Sequence, residues 1–337
     1  GEDDLVAASF GRGFYIVDDY SPIREYSRQI DQKIAHMFSV KSTYQYVVAA
    51  PEKTATGHNF FTSPNPPYGI KLSYYLGNSL LSKFEERQND ESYKFNRGET
   101  IDYPSAKKLE DEAKEKTPKI YLTISDSQGK VVRRISTNKN RGYHEKYWDL
   151  RTYSQRNIDD ESNYSGPLVP PGKYSVHIEK FEDDKLEKLT DAYSFDIIQI
   201  GSKSSQEDRE KLYDFQLNFD ELVTLVNELV DEIDDAIEEV DGEINKSINT
   251  SPESNLSSLN KKRGDIMDLK MILTGTRSLN YADIFSGSPP SVQRRLGNMG
   301  WELYNTTSKP TKTHEMTYKI SKEKYDDVLR RFKEIIN

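Results

Sequence analysis

The chain has 337 residues, 47 Lys plus Arg against 56 Asp plus Glu, a formal net charge of −9 and no Cys. That length leaves room for two or three domains with real cores, and zero cysteine excludes a disulfide scaffold, a thiolate zinc site and a Cys nucleophile. The acidic balance argues against a general nucleic-acid binder, no apolar run approaches the ~20 residues of a membrane-spanning helix, and the opening Gly1-Glu2-Asp3-Asp4 has none of the basic and apolar character of a signal peptide.

Residues 1–20 read as a strand pair. Leu5-Val6-Ala7-Ala8 is a short apolar run, Gly11-Arg12-Gly13 is a turn, and Phe14-Tyr15-Ile16-Val17 is a second run rich in β-formers. Such a hairpin is marginal alone in water, so it is expected to dock on a further sheet. Ser21-Pro22 starts a short helical turn, and His36-Met37-Phe38 and Tyr44–Ala50 read as extended. Residues 61–69 form a Pro-rich loop, and Ile70–Leu76 alternates as a strand. Residues 83–117 are highly charged and poor in apolar side chains, which predicts an insertion that is partly loop or mobile.

The clearest β signals follow. Ile120–Ser125 is a strand, Asp126-Ser127-Gln128-Gly129 a hairpin turn, and Val131–Ile135 the return strand. Tyr147–Leu150 is a third, with Trp148 and Leu150 expected on one face. Pro170-Pro171-Gly172 is a turn, with Lys173–Ile178 behind it, and residues 193–200 close the series. Short strands with regular turn signals suggest a sandwich of immunoglobulin-like type over 21–203.

From about residue 205 the period turns helical. Phe219, Leu222, Val226, Leu229, Ile233, Ile237, Val240 and Ile244 form the stripe of a long amphipathic helix. Residues 206–248 hold 15 Asp or Glu and 3 Arg or Lys, a local net of −12, which leaves +3 for the rest of the chain. Asp231, Asp234, Asp235 and Glu238 offer an acidic docking face, against the plainer reading of a solvated helix side. A second helix is expected over about 253–273. A third starts at Ser288-Pro289-Pro290 and carries Val292, Leu296, Met299 and Leu303. A fourth is capped by Ser321, with Tyr325, Val328, Leu329, Phe332, Ile335 and Ile336 inward. Four such helices over 204–337 fit a small bundle.

Four stretches together resemble one family. SFGRGFYIVDDYSPIRE (9–25) is similar to the last propeller strands of secreted bacterial proteins with neuraminidase-type repeats, labelled glycosyl-hydrolase-like or sortilin-like. PNPPYGIKLSYYL (64–76) resembles the Pro-Gly loop and strand of that family. YLTISDSQGKVVRRI (121–135), YWDLR (147–151) and VPPGKYSVHI (169–178) resemble the Ig-like domain that follows the propeller, which is similar to a flagellar hook-cap domain. QRRLGNMGWELYNTTSKPTKTHEMTY (293–318) resembles the C-terminal helical part.

The Asp-box repeats of the family are missing. The resemblance therefore implies the C-terminal portion of an exported protein, periplasmic, outer-membrane-associated or extracellular. The expected architecture is α+β multidomain: a blade remnant at 1–20, an Ig-like sandwich, then a helical bundle. The implied partner is the propeller portion, in cis or as a separate fragment, with a glycan or a cell-surface protein as the further partner expected.

The chemistry-bearing candidates are few. Trp148, Asp149 and Arg151 offer either a sugar platform with a carboxylate beside it, or a core Trp with Asp149 bonding a nearby turn. Arg12, between two glycines, suits an anion, or a structural ion pair with Asp18 or Asp19. Adjacent carboxylates such as Asp183-Asp184 point to opposite strand faces and do not by themselves make a glycosidase pair. The histidines show no metal-ligand spacing, and no nucleotide or dinucleotide fingerprint occurs, so neither a metal nor another cofactor is expected. The expectation is a non-catalytic accessory or interaction module. Two alternatives stay open: part of a glycan-processing enzyme whose active site lies in the propeller, or a cell-surface or secretion-complex component.

Overall fold

The computed structural model describes residues 3–11, 13–46, 67–153, 166–201, 203–250, 256–276 and 290–336. The fold is α+β. The chain divides into two compact units, residues 1–153 with 171–201, and residues 154–170 with 202–337.

In the first unit, β1 (Leu5–Ser9) and β2 (Gly13–Val17) form a two-stranded antiparallel hairpin, with Leu5 opposite Val17 and Ser9 opposite Gly13. α1 (Ser21–Glu25) follows, with Pro22 in its first turn, where a missing N–H costs nothing. β3 (Ala35–Met37), β5 (Ile70–Leu76) and β8 (Gly142–Trp148) make a three-stranded antiparallel sheet with β5 central. A larger sheet has the order β4 (Thr43–Gln45), β11 (Tyr193–Gln199), β9 (Gly172–Glu182), β6 (Lys119–Asp126), β7 (Val131–Thr137). β4 runs parallel to β11, and β10 (Lys185–Lys188) pairs with the end of β9.

Period-two patterning builds the core. Ile120, Leu122 and Ile124 of β6, Tyr174, Val176 and Ile178 of β9, and Phe195 and Ile197 of β11 are all buried. Each such side chain contributes about 1.5–3 kcal/mol on burial. β5 departs from simple alternation: Leu72, Tyr74 and Leu76 are buried, and so are Ser73 and Tyr75 on its other face. Tyr75 packs with Ile30 and Phe38, so the segment before β4 covers the second face.

The charged stretch predicted as partly loop is instead two helices, α2 (Lys83–Asn96) and α3 (Ala106–Lys114), neither with a buried residue. Caps and ion pairs replace an apolar face. Ser82 and Glu85 form a capping box, with Ser82 N donating to Glu85 Oε2 at 2.8 Å and Glu85 N to Ser82 Oγ at 3.2 Å. Arg87 forks onto Glu112 of α3 at 2.7 and 2.9 Å and also reaches Glu91 at 2.8 Å.

The strand predicted over Tyr147–Leu150 ends at Trp148. Leu150 lies past it at φ 61° and is buried without sharing a strand face with Trp148. β10 was not expected, because its Lys-Leu-Glu-Lys carries little apolar signal; the turn before it is made by Asp183 and Asp184, both at positive φ.

The second unit is helical. α4 (Gln206–Thr250) is 45 residues long, about 70 Å at 1.5 Å per residue. It is joined by α5 (Leu256–Thr274), α6 (Val292–Tyr304) and α7 (Lys312–Ile336) around one apolar core. The α4 stripe from Phe219 to Val240 is buried as the spacing predicts, while Ile244 packs at the edge. α6 starts later than expected: Ser291 is its cap, its Oγ accepting from Arg294 N at 3.2 Å. α7 starts earlier than expected. Ser321 is not a cap but a fully buried mid-helix residue. The cap is Thr311, whose Oγ1 accepts from His314 N at 3.2 Å, while Thr311 N donates to His314 Nδ1 at 3.4 Å.

Candidate interaction surface

The hairpin β1–β2 is the most conspicuous surface of the first unit. All ten strand residues are exposed. Leu5, Ala7, Tyr15 and Val17 fall on one face and Val6, Ala8, Phe14 and Ile16 on the other, so both faces are apolar. No further strand pairs with it among the described residues. Edges of this kind are normally blunted by charge or covered.

Its base is tied down by charge. Lys41 Nζ lies 2.8 Å from Asp19 Oδ1 and 3.1 Å from Asp3 Oδ2. Arg24 reaches Asp3 Oδ1 at 3.1 Å, Ser21 Oγ donates to Asp19 Oδ1 at 2.6 Å, and Asp19 N donates to Asp4 Oδ1 at 2.9 Å. Asp3 and Asp19 both sit at positive φ, which a short polar side chain tolerates. Bonds from Lys41 and Arg24 hold the Asp3 carboxyl below its usual range. Burial pushes Asp19 up, but Lys41 and Ser21 outweigh it and leave Asp19 lowered as well. Lys41 moves the other way: partial burial lowers its ammonium, and the two carboxylates more than reverse this. None of Asp3, Asp4 and Lys41 stood out in the sequence, since nothing in the spacing of an isolated lysine marks a distant partner.

Trp148 is placed in the core, 1% exposed. Its Nε1 donates to Arg151 O at 2.7 Å, and its ring meets Tyr174 and Phe195 edge-on with centroids at 6.0 and 6.3 Å. An indole enclosed in this way presents no face on which a sugar could stack. Asp149 Oδ1 accepts from Arg151 N at 3.2 Å, closing the turn that follows β8. Gly69 stands against this turn at φ +117°, where a Cβ would lie 1.9 Å from Trp148 O. Trp148, Asp149 and Arg151 are thus brought together in one turn. Arg12 lies outside the described residues. Of the two carboxylates expected as its partners, Asp19 is engaged by Lys41, and Asp18 contributes its carbonyl to Lys71 Nζ at 3.2 Å.

On α4, Asp231, Asp235 and Glu238 are exposed, whereas Asp234 is paired with Lys270 of α5. Arg263 of α5 likewise forks onto Asp241, at 2.5 and 3.2 Å. Part of the acidity therefore holds α5 in register and the rest faces solvent. His36 lies 3.1 Å from Glu25, His177 3.0 Å from Glu179 and His314 3.2 Å from Glu302. No group of three or more His, Asp or Glu that could hold a metal ion occurs among the described residues. Among them too, no helix is long and apolar enough to cross a membrane.

No protein-family model matches the chain, and no curated protein does. Among solved structures, FLGD from P. aeruginosa aligns at 22% identity and a TM-score of 0.17, over 23% of this chain and 50% of that one. A structure titled pT26-6p aligns at 11% identity and a TM-score of 0.13, over 65% of this chain and 43% of that one. The chain thus spans half or less of the length of either, and at these TM-scores neither likeness carries a fold or a function to it.

Proposed function

We propose that this chain is a non-catalytic interaction module whose β1–β2 hairpin completes a β-sheet supplied by a separate stretch of polypeptide. The observation that carries the reading is the hairpin itself: ten exposed strand residues, apolar on both faces, on a base fixed by Lys41. An isolated hairpin gains little from its own pairing, whereas adding to a sheet satisfies both its open edge and its apolar faces. The family resemblance makes the receiving sheet a propeller blade and the setting an exported bacterial protein. The same resemblance supports reading the two sheets as an Ig-like sandwich and the four C-terminal helices as a bracing bundle.

Amide hydrogen exchange in the full native polypeptide tests the reading. Residues 5–17 should be strongly protected there and exchange about tenfold or more faster in this chain by itself, where only the hairpin's own pairing and the Lys41 clamp slow them, and Ile16→Glu should remove the difference. Rapid exchange at 5–17 in the native polypeptide would overturn it.

A further inference from the structure

The second unit carries a surface that the hairpin reading does not use. α4 and α6 run antiparallel past each other, with Gly300 against Phe219 at one end and Gln293 Nε2 donating to Asn227 Oδ1 at 3.1 Å at the other. Between them lies an open groove of about 380 Å³, within the usual range for ligand sites. Phe219, Val223 and Val226 line it from α4, and Leu296 and Trp301 from α6. Gly297 and Gly300 keep the α6 side low, and a Cβ at Gly297 would meet nothing within 4 Å. Trp301 forms a wall and is 77% exposed. An indole that exposed, beside an apolar floor, is a large unrecovered burial.

What fits the groove is decided by the charge at its mouth. Continuing along α4 from Asn227, one turn at a time, the same stripe carries Asp231, then Asp235 and Glu238, all exposed. Asp234, one residue before Asp235 and turned toward α5, is paired with Lys270. α6 contributes two arginines at this end, the exposed Arg294 and the half-buried Arg295, whose Nε donates to Pro290 O at 3.2 Å. The groove therefore opens from an apolar socket onto an acidic rail.

We infer that this surface receives an amphipathic helical segment of another protein, with a bulky apolar side chain in the socket under Trp301, level with Phe219, and Lys or Arg residues about three to five turns further along, opposite Asp231, Asp235 and Glu238. Apolar burial supplies the affinity and the rail sets the polarity and direction of the bound helix.

The probe is an 18-residue synthetic Leu/Lys amphipathic helix without Trp, with its Leu/Glu isomer as control. Binding is read on Trp301 fluorescence of the whole chain. The Leu/Lys peptide should shift the emission to the blue, and Trp301→Phe should remove that shift, because Trp148 is already buried. Gly297→Leu fills the groove, has room to fold and favours helix; it should weaken binding by about tenfold or more. Asp231→Asn/Asp235→Asn/Glu238→Gln should weaken binding about tenfold at low salt and flatten its salt dependence. Equal binding of the Leu/Glu isomer, or Gly297→Leu binding as tightly as wild type, would overturn the assignment. So would a dimer of the chain by itself that Gly297→Leu disrupts, since the occupant would then be a second copy. The hairpin is untouched by these variants, so this proposal and the hairpin reading stand or fall separately.

Discussion

Lys41 holds Asp19 at 2.8 Å and, through the same ammonium, Asp3 at 3.1 Å, so one side chain closes both ends of the hairpin. Lys41→Met should leave the two sheets of the first unit intact and loosen the hairpin. The expected result is amide exchange about fivefold faster over residues 5–17 and unchanged over β6 and β9. The pH dependence has a fixed sign. Asp3 and Asp19 are lowered on folding, so their contribution is complete above the ordinary aspartate range and is lost as pH falls through the lowered values. Hairpin protection should therefore fade below about pH 4, and Lys41→Met should flatten that acid limb. Exchange mass spectrometry across a pH series reads both effects.

Gly69 and Trp148 set a second test. Gly69→Ala places a methyl 1.9 Å from the Trp148 carbonyl at a φ of +117°, so strand β5, the turn after β8 or both must move. The cost should be about 3 kcal/mol or more in urea denaturation, with loss of the near-ultraviolet signal from the Trp148–Tyr174–Phe195 cluster. A fully native signal and an unchanged midpoint would mean that the turn is looser than its geometry implies.

The strands and helices most legible in the sequence are those with one buried face. Ile120, Leu122 and Ile124, or Leu222, Val226 and Leu229, announce their period because a single surface drives them inward. Legibility fails where polar chemistry does the holding. α2 and α3 bury nothing, so hydrophobic period was silent, although Ser82 and Glu85 at capping-box spacing marked the start of α2. Trp301 belongs to a helix whose inward residues were plain, yet its exposure depends on Gly297 and Gly300 leaving the groove open, a tertiary outcome. Lys41 gives no local cue at all, because its two carboxylates come from distant segments of chain.

The α2–α3 pair should be a second acid-sensitive part of the first unit. The Lys139 ammonium, with the Ser82 N–H, holds Glu85 below its usual range, and the Arg87 fork does the same for Glu112. Both groups are lowered, so their support is present above the ordinary glutamate range and lost as pH falls through the lowered values. Residues 83–114 should lose helical chemical shifts on acidification before the β6 and β9 core does. Arg87→Met should reproduce the loss at neutral pH without shifting the unfolding midpoint of the sheets.

The start of α7 gives the last prediction. Thr311 supplies a cap, so Thr311→Ala should cost about 1 kcal/mol. Ser321 lies fully buried in mid-helix, and its Oγ has no hydrogen-bond partner among the described residues. Removing a buried hydroxyl that has no partner relieves a desolvation cost, and alanine is the better helix former, so Ser321→Ala should be neutral or stabilising by up to about 1 kcal/mol. A helix capped at Ser321 would give the opposite pair of signs. Thermal denaturation of the two variants side by side therefore decides where the helix begins, because a hydroxyl that capped a first turn at Ser321 would cost about 1 kcal/mol on removal while Thr311→Ala would then cost little.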